Sequence, residues 1–131
     1  MKKIIIFLIK LVTILLPPTY MGLIWFLSSH PSDAIVNTGL SFDSTLKEGL
    51  HLVEFGILYL LLVMALISWD KLNKNSSFLA ALLSFFYGLT DELHQYFVPA
   101  RSFTLIDLAK DLIGIIIVWY IVKLKINIIK K

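Results

Sequence analysis

The chain has no cysteine, which removes disulfides, thiol nucleophiles and thiolate metal ligands together and leaves the redox compartment undetermined. Charge is also scarce. Charged residues make up 16% of the 131 residues, against roughly 25% in soluble domains. Internal repeats and low-complexity tracts are missing, and no polar stretch is long enough to separate two domains. What is present is apolar: 58% of the residues are hydrophobic and the mean hydropathy is +0.85. A soluble protein this small cannot hide so much apolar surface in one core, so the composition predicts an integral membrane protein. The 12 Lys and Arg against 9 Asp and Glu give a formal charge of +3, too small and too dispersed to imply nucleic acid.

Four apolar runs stand out, roughly Ile4 to Leu27, Leu50 to Trp69, Phe78 to Phe97 and Leu105 to Val122. Each is near the ~20 residues a spanning helix needs. The expectation is an all-α bundle of four transmembrane helices, forming a single domain over residues 1–131. Short polar connectors join the runs: Ser28 to about Thr45, Asp70 to Asn75, and Val98 to Thr104. Lys2, Lys3, Lys71, Lys74, Lys123, Lys125, Lys130 and Lys131 fall at the termini or in the second connector, whereas Lys47 and Arg101 flank the other two. This bias predicts cytoplasmic termini and a multi-pass protein. The N-terminal Met-Lys-Lys and its apolar run share the layout of a signal peptide. The run is long, however, and no small-x-small site precedes Ser28, so it reads as a retained span.

Local signals add detail. Pro17 and Pro18 remove amides that would have reached the carbonyls of Thr13 and Ile14, which predicts a kink. Thr45 with Glu48 and Thr104 with Asp107 have capping-box spacing, so helices two and four start on the outer side. Trp25, Trp69 and Trp119 lie near span ends and read as interfacial anchors.

Ionisable residues inside spans are costly and usually face the bundle interior and one another. Here they collect at one depth. His51 and Glu54 open helix two; Asp91, Glu92, His94 and Gln95 close helix three; Asp107, Lys110 and Asp111 open helix four. Helical spacing puts His51 with Glu54, Asp91 with His94 and Gln95, and Asp107 with Asp111 and Gly114 on common faces. Three polar stripes converge at the extracytoplasmic end, with Arg101 on the loop beside them. Each residue also has a plain structural reading. Asp107 can serve only the cap, Lys110 can extend to the interface, and either histidine can be a hydrogen-bonded packing residue. Glu54, Asp91 and Glu92 are the hardest to explain without function.

The strings His51-Leu-Val-Glu54-Phe55-Gly56 and Asp91-Glu92-Leu-His94-Gln95-Tyr-Phe97-Val-Pro99-Ala-Arg101, followed by Asp107 and Gly114, resemble the signature of the VanZ-like membrane proteins. The resemblance covers about residues 50–115. One position departs: where that family usually has Asn, four residues after the helix-four Asp, this chain has Asp111. The resemblance implies a bacterial cell-membrane protein associated with low-level resistance to teicoplanin and related lipoglycopeptides.

Three functions compete. A noncatalytic protein would use the outer pocket to engage a lipid headgroup, a lipid-linked wall precursor or the lipoglycopeptide itself. An intramembrane enzyme acting on a lipid or wall precursor would use paired carboxylates, or a divalent metal held by His51, Glu54, Asp91 and His94. Against it, the His-x-x-Glu lacks the second His of zincin motifs, and no Ser or Thr sits beside a His as an evident nucleophile. A transporter would relay protons through Glu54 and Asp91, although four spans without an inverted repeat would need a homo-oligomer to complete a pathway.

Overall fold

The computed structural model describes residues 1–31 and 43–129, with side chains described over 1–31 and 49–127. Among the described residues the protein is all-helical, without a strand. Helix α1 spans Lys2–Ser28, α2 Asp43–Ser68, α3 Lys74–Tyr96 and α4 Leu105–Ile129. All four apolar runs are therefore helices, and the helices extend into the polar flanks. Among the described residues, two helical stretches are long and apolar enough to cross a membrane: α1, and Gly49–Ser68 of α2. The other two are diluted by polar residues. In α3, Asn75, Ser76, Ser77, Ser84, Thr90 and the Asp91 to Gln95 segment interrupt the apolar sequence. In α4, Asp107, Lys110 and Asp111 sit at one end of the apolar stretch, with Lys123 and Lys125 at the other.

The ends of the helices follow local chemistry. α1 passes through Pro17 and Pro18 without a break. The side chain of Asn73 caps α3, accepting from the amides of Asn75 and Ser76 at 2.9 and 3.0 Å, while Ser76 Oγ accepts from the Asn73 amide. Asp70 adopts a left-handed conformation (φ 54°) after α2, and the Lys71 amide reaches back to the Leu66 carbonyl at 2.8 Å. This is the back-bonded helix end that satisfies a free carbonyl. The Thr104 hydroxyl accepts from the Asp107 amide at 3.0 Å, as the predicted cap requires. The side chains of Thr45 and Glu48 lie outside the described residues, and α2 begins two residues before Thr45.

Contacts between helices show that successive helices alternate in direction. Thr13 and Lys10 on α1 meet Ser68 and Trp69 at the end of α2, whereas Ser28 and Ser29 meet Gln95 and His94 at the end of α3. α2 packs against all three others and most extensively against α4. Glycine explains that closeness. A Cβ on Gly114 would run into the Leu52 carbonyl oxygen, and one on Gly56 would lie 3.3 Å from the Gly114 carbonyl oxygen. Small residues at such a crossing let two backbones touch, a common solution between membrane helices.

The interior is not a conventional apolar core. Among the described residues, eight of those buried are hydrophobic, including Ile24, Phe55, Leu58 and Ile115, and eight are polar or charged, including Asp91, Glu92, Gln95 and Asp111. Large apolar side chains are exposed on every helix, from Ile4 and Phe26 through Met64 and Phe86 to Ile117. Such a distribution reverses that of a water-soluble domain, in which charged groups are almost never fully buried.

Candidate functional site

The α2/α4 crossing places its neighbours. His51 is one residue before Leu52 and Asp111 is one turn before Gly114, so close backbones bring these two side chains face to face. His51 Nδ1 lies 3.7 Å from Asp111 Oδ1 and 3.9 Å from Glu92 Oε1 on α3. Gly88 on α3 faces this arrangement: a Cβ there would make ordinary contacts, 3.6 Å from Asp111 Oδ2 and 3.5 Å from the Phe55 ring.

Both carboxyl groups are sealed in, with Glu92 1% and Asp111 0% exposed. Yet the cluster is short of hydrogen-bond donors. Among the described residues, His51 Nδ1, Asp91 Oδ1, Glu92 Oε1 and both carboxylate oxygens of Asp111 are buried without a hydrogen-bond partner. Buried polar groups are nearly always partnered, and an exception costs about 1–3 kcal/mol each, more when charged.

The remaining predicted residues divide between two sides. Asp107 borders the His51 cluster: donor atoms of His51, Glu92 and Asp107 all lie within 4.8 Å of one another. Its carboxylate also receives the Thr104 hydroxyl and, at 3.3 Å, Lys110 Nζ. The cap at α4 is therefore only half a capping box, because the Thr104 amide points to Glu92 Oε2 at 3.5 Å instead of to Asp107. Asp91 faces α1, where Gln95 Nε2 donates to Asp91 Oδ2 at 2.8 Å and lies 3.4 Å from Ser28 Oγ. Glu54 is half-buried between the two groups, within electrostatic range of Asp91, His51, Asp111 and Arg101.

Two predicted residues make their direct contacts with α1, although Arg101 stays within electrostatic range of Glu54 and Asp91. His94 stacks on Trp25, with ring centroids 4.0 Å apart, and its Nε2 lies 3.0 Å from Ser29 Oγ. The structure thus separates it from His51, and the four groups His51, Glu54, Asp91 and His94 do not form one ligand set. Arg101 tethers α1. Its guanidinium donates to the carbonyls of His30 at 2.8 Å and Leu27 at 3.1 Å, satisfying the free end of that helix. Ala100, held at φ 62°, turns the chain so that it can do so. Left-handed backbone at a residue with a side chain costs about 1–3 kcal/mol, which the surrounding contacts must offset.

Sequence reasoning missed Ser28, Gly88 and the Thr104 amide. Gly88 had a legible signal, a small residue three before Asp91 on the same face. Ser28 and the Thr104 amide carry none, since their roles depend on which helices become neighbours. The chemistry of the whole arrangement is acceptor-rich. Acids this close repel by several kcal/mol at low effective dielectric, so protons, a metal ion or a cationic group must supply what the chain does not. The groove of about 510 Å³ lined by Ile14, Leu62, Leu66, Leu79 and Leu83 is apolar and distant from these groups.

Among families of known proteins, the model described as VanZ/LLP1 matches residues 4–126. No curated protein and no solved structure matches the chain.

Proposed function

We propose a function from one premise: the chain belongs to the VanZ/LLP1 family, whose model spans nearly all of it. In this reading all four helices cross the bacterial cell membrane, with both termini cytoplasmic and the acid-rich end outside. The exposed apolar residues of α3 and α4, such as Phe78, Leu83, Phe86, Ile113, Ile117 and Ile121, support membrane burial of the two helices with more polar sequences. Lysines at the opposite end support the orientation.

The protein acts by binding. Its outer pocket, built on His51, Glu54, Asp91, Glu92, Asp107 and Asp111, takes an ammonium or other donor-rich group of an envelope component: a lipid headgroup, a lipid-linked wall precursor or a lipoglycopeptide. Occupancy of that pocket contributes low-level tolerance to teicoplanin-type drugs, which carry a lipid tail to the same depth. The observation that carries this reading is the set of sealed polar atoms with no hydrogen-bond partner among the described residues, since unsatisfied charge in a bundle marks function.

The test is expression in a susceptible Gram-positive host. The inhibitory concentration of teicoplanin is expected to rise more than that of vancomycin. Glu54→Gln, Asp91→Asn and Glu92→Gln are each expected to abolish the rise at unchanged membrane abundance. Arg101→Ala is expected to weaken it by loosening α1. Full tolerance in all three carboxylate variants overturns the pocket.

A further inference from the structure

We propose that His51, Glu92, Asp107 and Asp111 bind one divalent transition-metal ion. The inference deepens the binding reading of the same pocket by naming what makes it competent, and it rests on geometry independent of any drug.

Spacing is the first argument. Around an ion with bonds of about 2.0–2.2 Å, neighbouring donors lie roughly 3–3.5 Å apart and opposed donors a little over 4 Å apart. His51 Nδ1 is 3.7 Å from Asp111 Oδ1 and 3.9 Å from Glu92 Oε1, and the His51, Glu92 and Asp107 donors lie within 4.8 Å of one another. Asp111 joins this group through its approach to His51, and side-chain movements of up to about an ångström bring the four donors to ligand spacing.

Partnership is the second. Nδ1, Oε1 and the two Asp111 oxygens are buried and lack hydrogen-bond donors. One cation satisfies them together, whereas a single proton satisfies one pair. Three carboxylates and a neutral imidazole carry a formal charge of −3, which a divalent ion reduces to −1. The mixture of imidazole and carboxylate ligands favours manganese, iron or zinc over the all-oxygen shells of magnesium and calcium.

Support from the surroundings is the third. The Thr104 amide holds Glu92 Oε2, and the Thr104 hydroxyl holds Asp107 Oδ2. Each carboxylate is thereby oriented by one oxygen and can offer the other, as outer partners of metal ligands commonly arrange. Lys110 Nζ, 3.3 Å from Asp107 Oδ1, competes for that oxygen and must yield it. His51 and Asp107, 20% and 25% exposed, leave an entry path, while Glu92 and Asp111 form the sealed floor.

The test uses the full-length protein in detergent, without a polyhistidine tag, loaded with Mn²⁺ or Zn²⁺ alone and then freed of unbound ion. Elemental analysis is expected to find one ion per chain, retained against excess Mg²⁺, and EDTA is expected to lower the melting temperature. His51→Gln, Glu92→Gln and Asp111→Asn are each expected to weaken binding at least about tenfold, the scale on which ligation shells respond. His94→Ala, remote from the cluster, is expected to bind like the wild type. Should a cluster variant fail to fold, electron paramagnetic resonance of Mn²⁺-loaded protein with ¹⁵N-labelled histidine reads the ligand directly: one histidine nitrogen coupled to the metal, retained in His94→Ala. Absence of a retained ion, no response to EDTA, or equal binding in the cluster variants overturns the proposal. A metal-free protein that still confers tolerance removes the metal and leaves the binding reading. A metal-binding protein without tolerance does the reverse.

Discussion

The two ends of the bundle treat polar groups in opposite ways. At the lysine-rich end Thr13 and Ser68 share a hydrogen bond of 2.6 Å between α1 and α2, and Tyr59 and Ser77 share one of 2.7 Å between α2 and α3. Asn73 and Ser76 cap each other, the Trp69 indole donates to the Lys10 carbonyl at 3.3 Å, and Lys10 and Lys123 lie over the rings of Trp69 and Trp119. The acid-rich end contains deeper burial, more charge and fewer partners. The same four helices thus give one end whose described polar groups are mostly paired and one where several buried groups are not. The first anchors the bundle. The second holds buried groups without a hydrogen-bond partner among the described residues, and such local conflict in a folded chain points to function.

The largest expected effect comes from the crossing that sets up the incomplete end. Gly114→Ala drives a methyl group into the Leu52 carbonyl, so α2 and α4 must separate. Overpacking typically costs about 1–3 kcal/mol and occasionally more; the upper part of that range is expected here because the obstacle is backbone. Thermal unfolding in detergent checks it. Loss of the His51 to Asp111 approach should accompany the loss of stability, while Gly22→Ala, with open space around its Cβ, should be close to neutral.

Next in size is a change whose sign depends on the metal. In EDTA, Asp111→Asn removes one sealed charge that makes no hydrogen bond, with His51 Nδ1 3.7 Å away, and is expected to raise stability by about 1–3 kcal/mol, the usual cost of such a group. With Mn²⁺ or Zn²⁺ present the wild type gains stability that the variant does not, so the order narrows or reverses. Melting curves with and without the ion measure both. Lower stability of the variant in EDTA would mean that Asp111 has a donor in the chain, and the contrast between the ends would fail.

The smallest effect belongs to the satisfied end. Thr13→Val or Ser68→Ala breaks one interhelical hydrogen bond, which within a bilayer is worth about 0.6 kcal/mol on average and about 1.7 at most. A small loss of thermal stability with unchanged drug tolerance is expected. Loss of tolerance at normal abundance would show that this end also takes part in function.

Much of this contrast was legible in the sequence. The four runs became α1 to α4, the Thr104 cap formed, and the polar stripes gathered at one end as Glu54, Asp91 and Asp107 suggested. The partition within that end was not legible. On α3, Asp91, His94 and Gln95 share a face by spacing, yet Glu92, one residue or about 100° further round, meets His51. A helix with neighbours on two sides presents two working faces, and periodicity does not say which neighbour each one meets. For the same reason His94 faces Trp25, and Arg101 reaches the end of α1, although both sit beside the acids in sequence. The Asn73 and Ser76 cap, three residues apart, follows the same spacing logic as the Thr104 cap.

The central claim, that the incomplete end faces the outside of the cell, is most directly tested by single-cysteine labelling, for which the cysteine-free chain is already a clean background. Ser102→Cys marks the loop beside the acids and Asn75→Cys the start of α3 at the lysine-rich end; both positions are exposed. With an impermeant maleimide on intact cells, Ser102→Cys is expected to label at once and Asn75→Cys only after the membrane is opened. The reverse pattern would place the acid cluster in the cytoplasm and contradict a pocket that meets envelope components from outside.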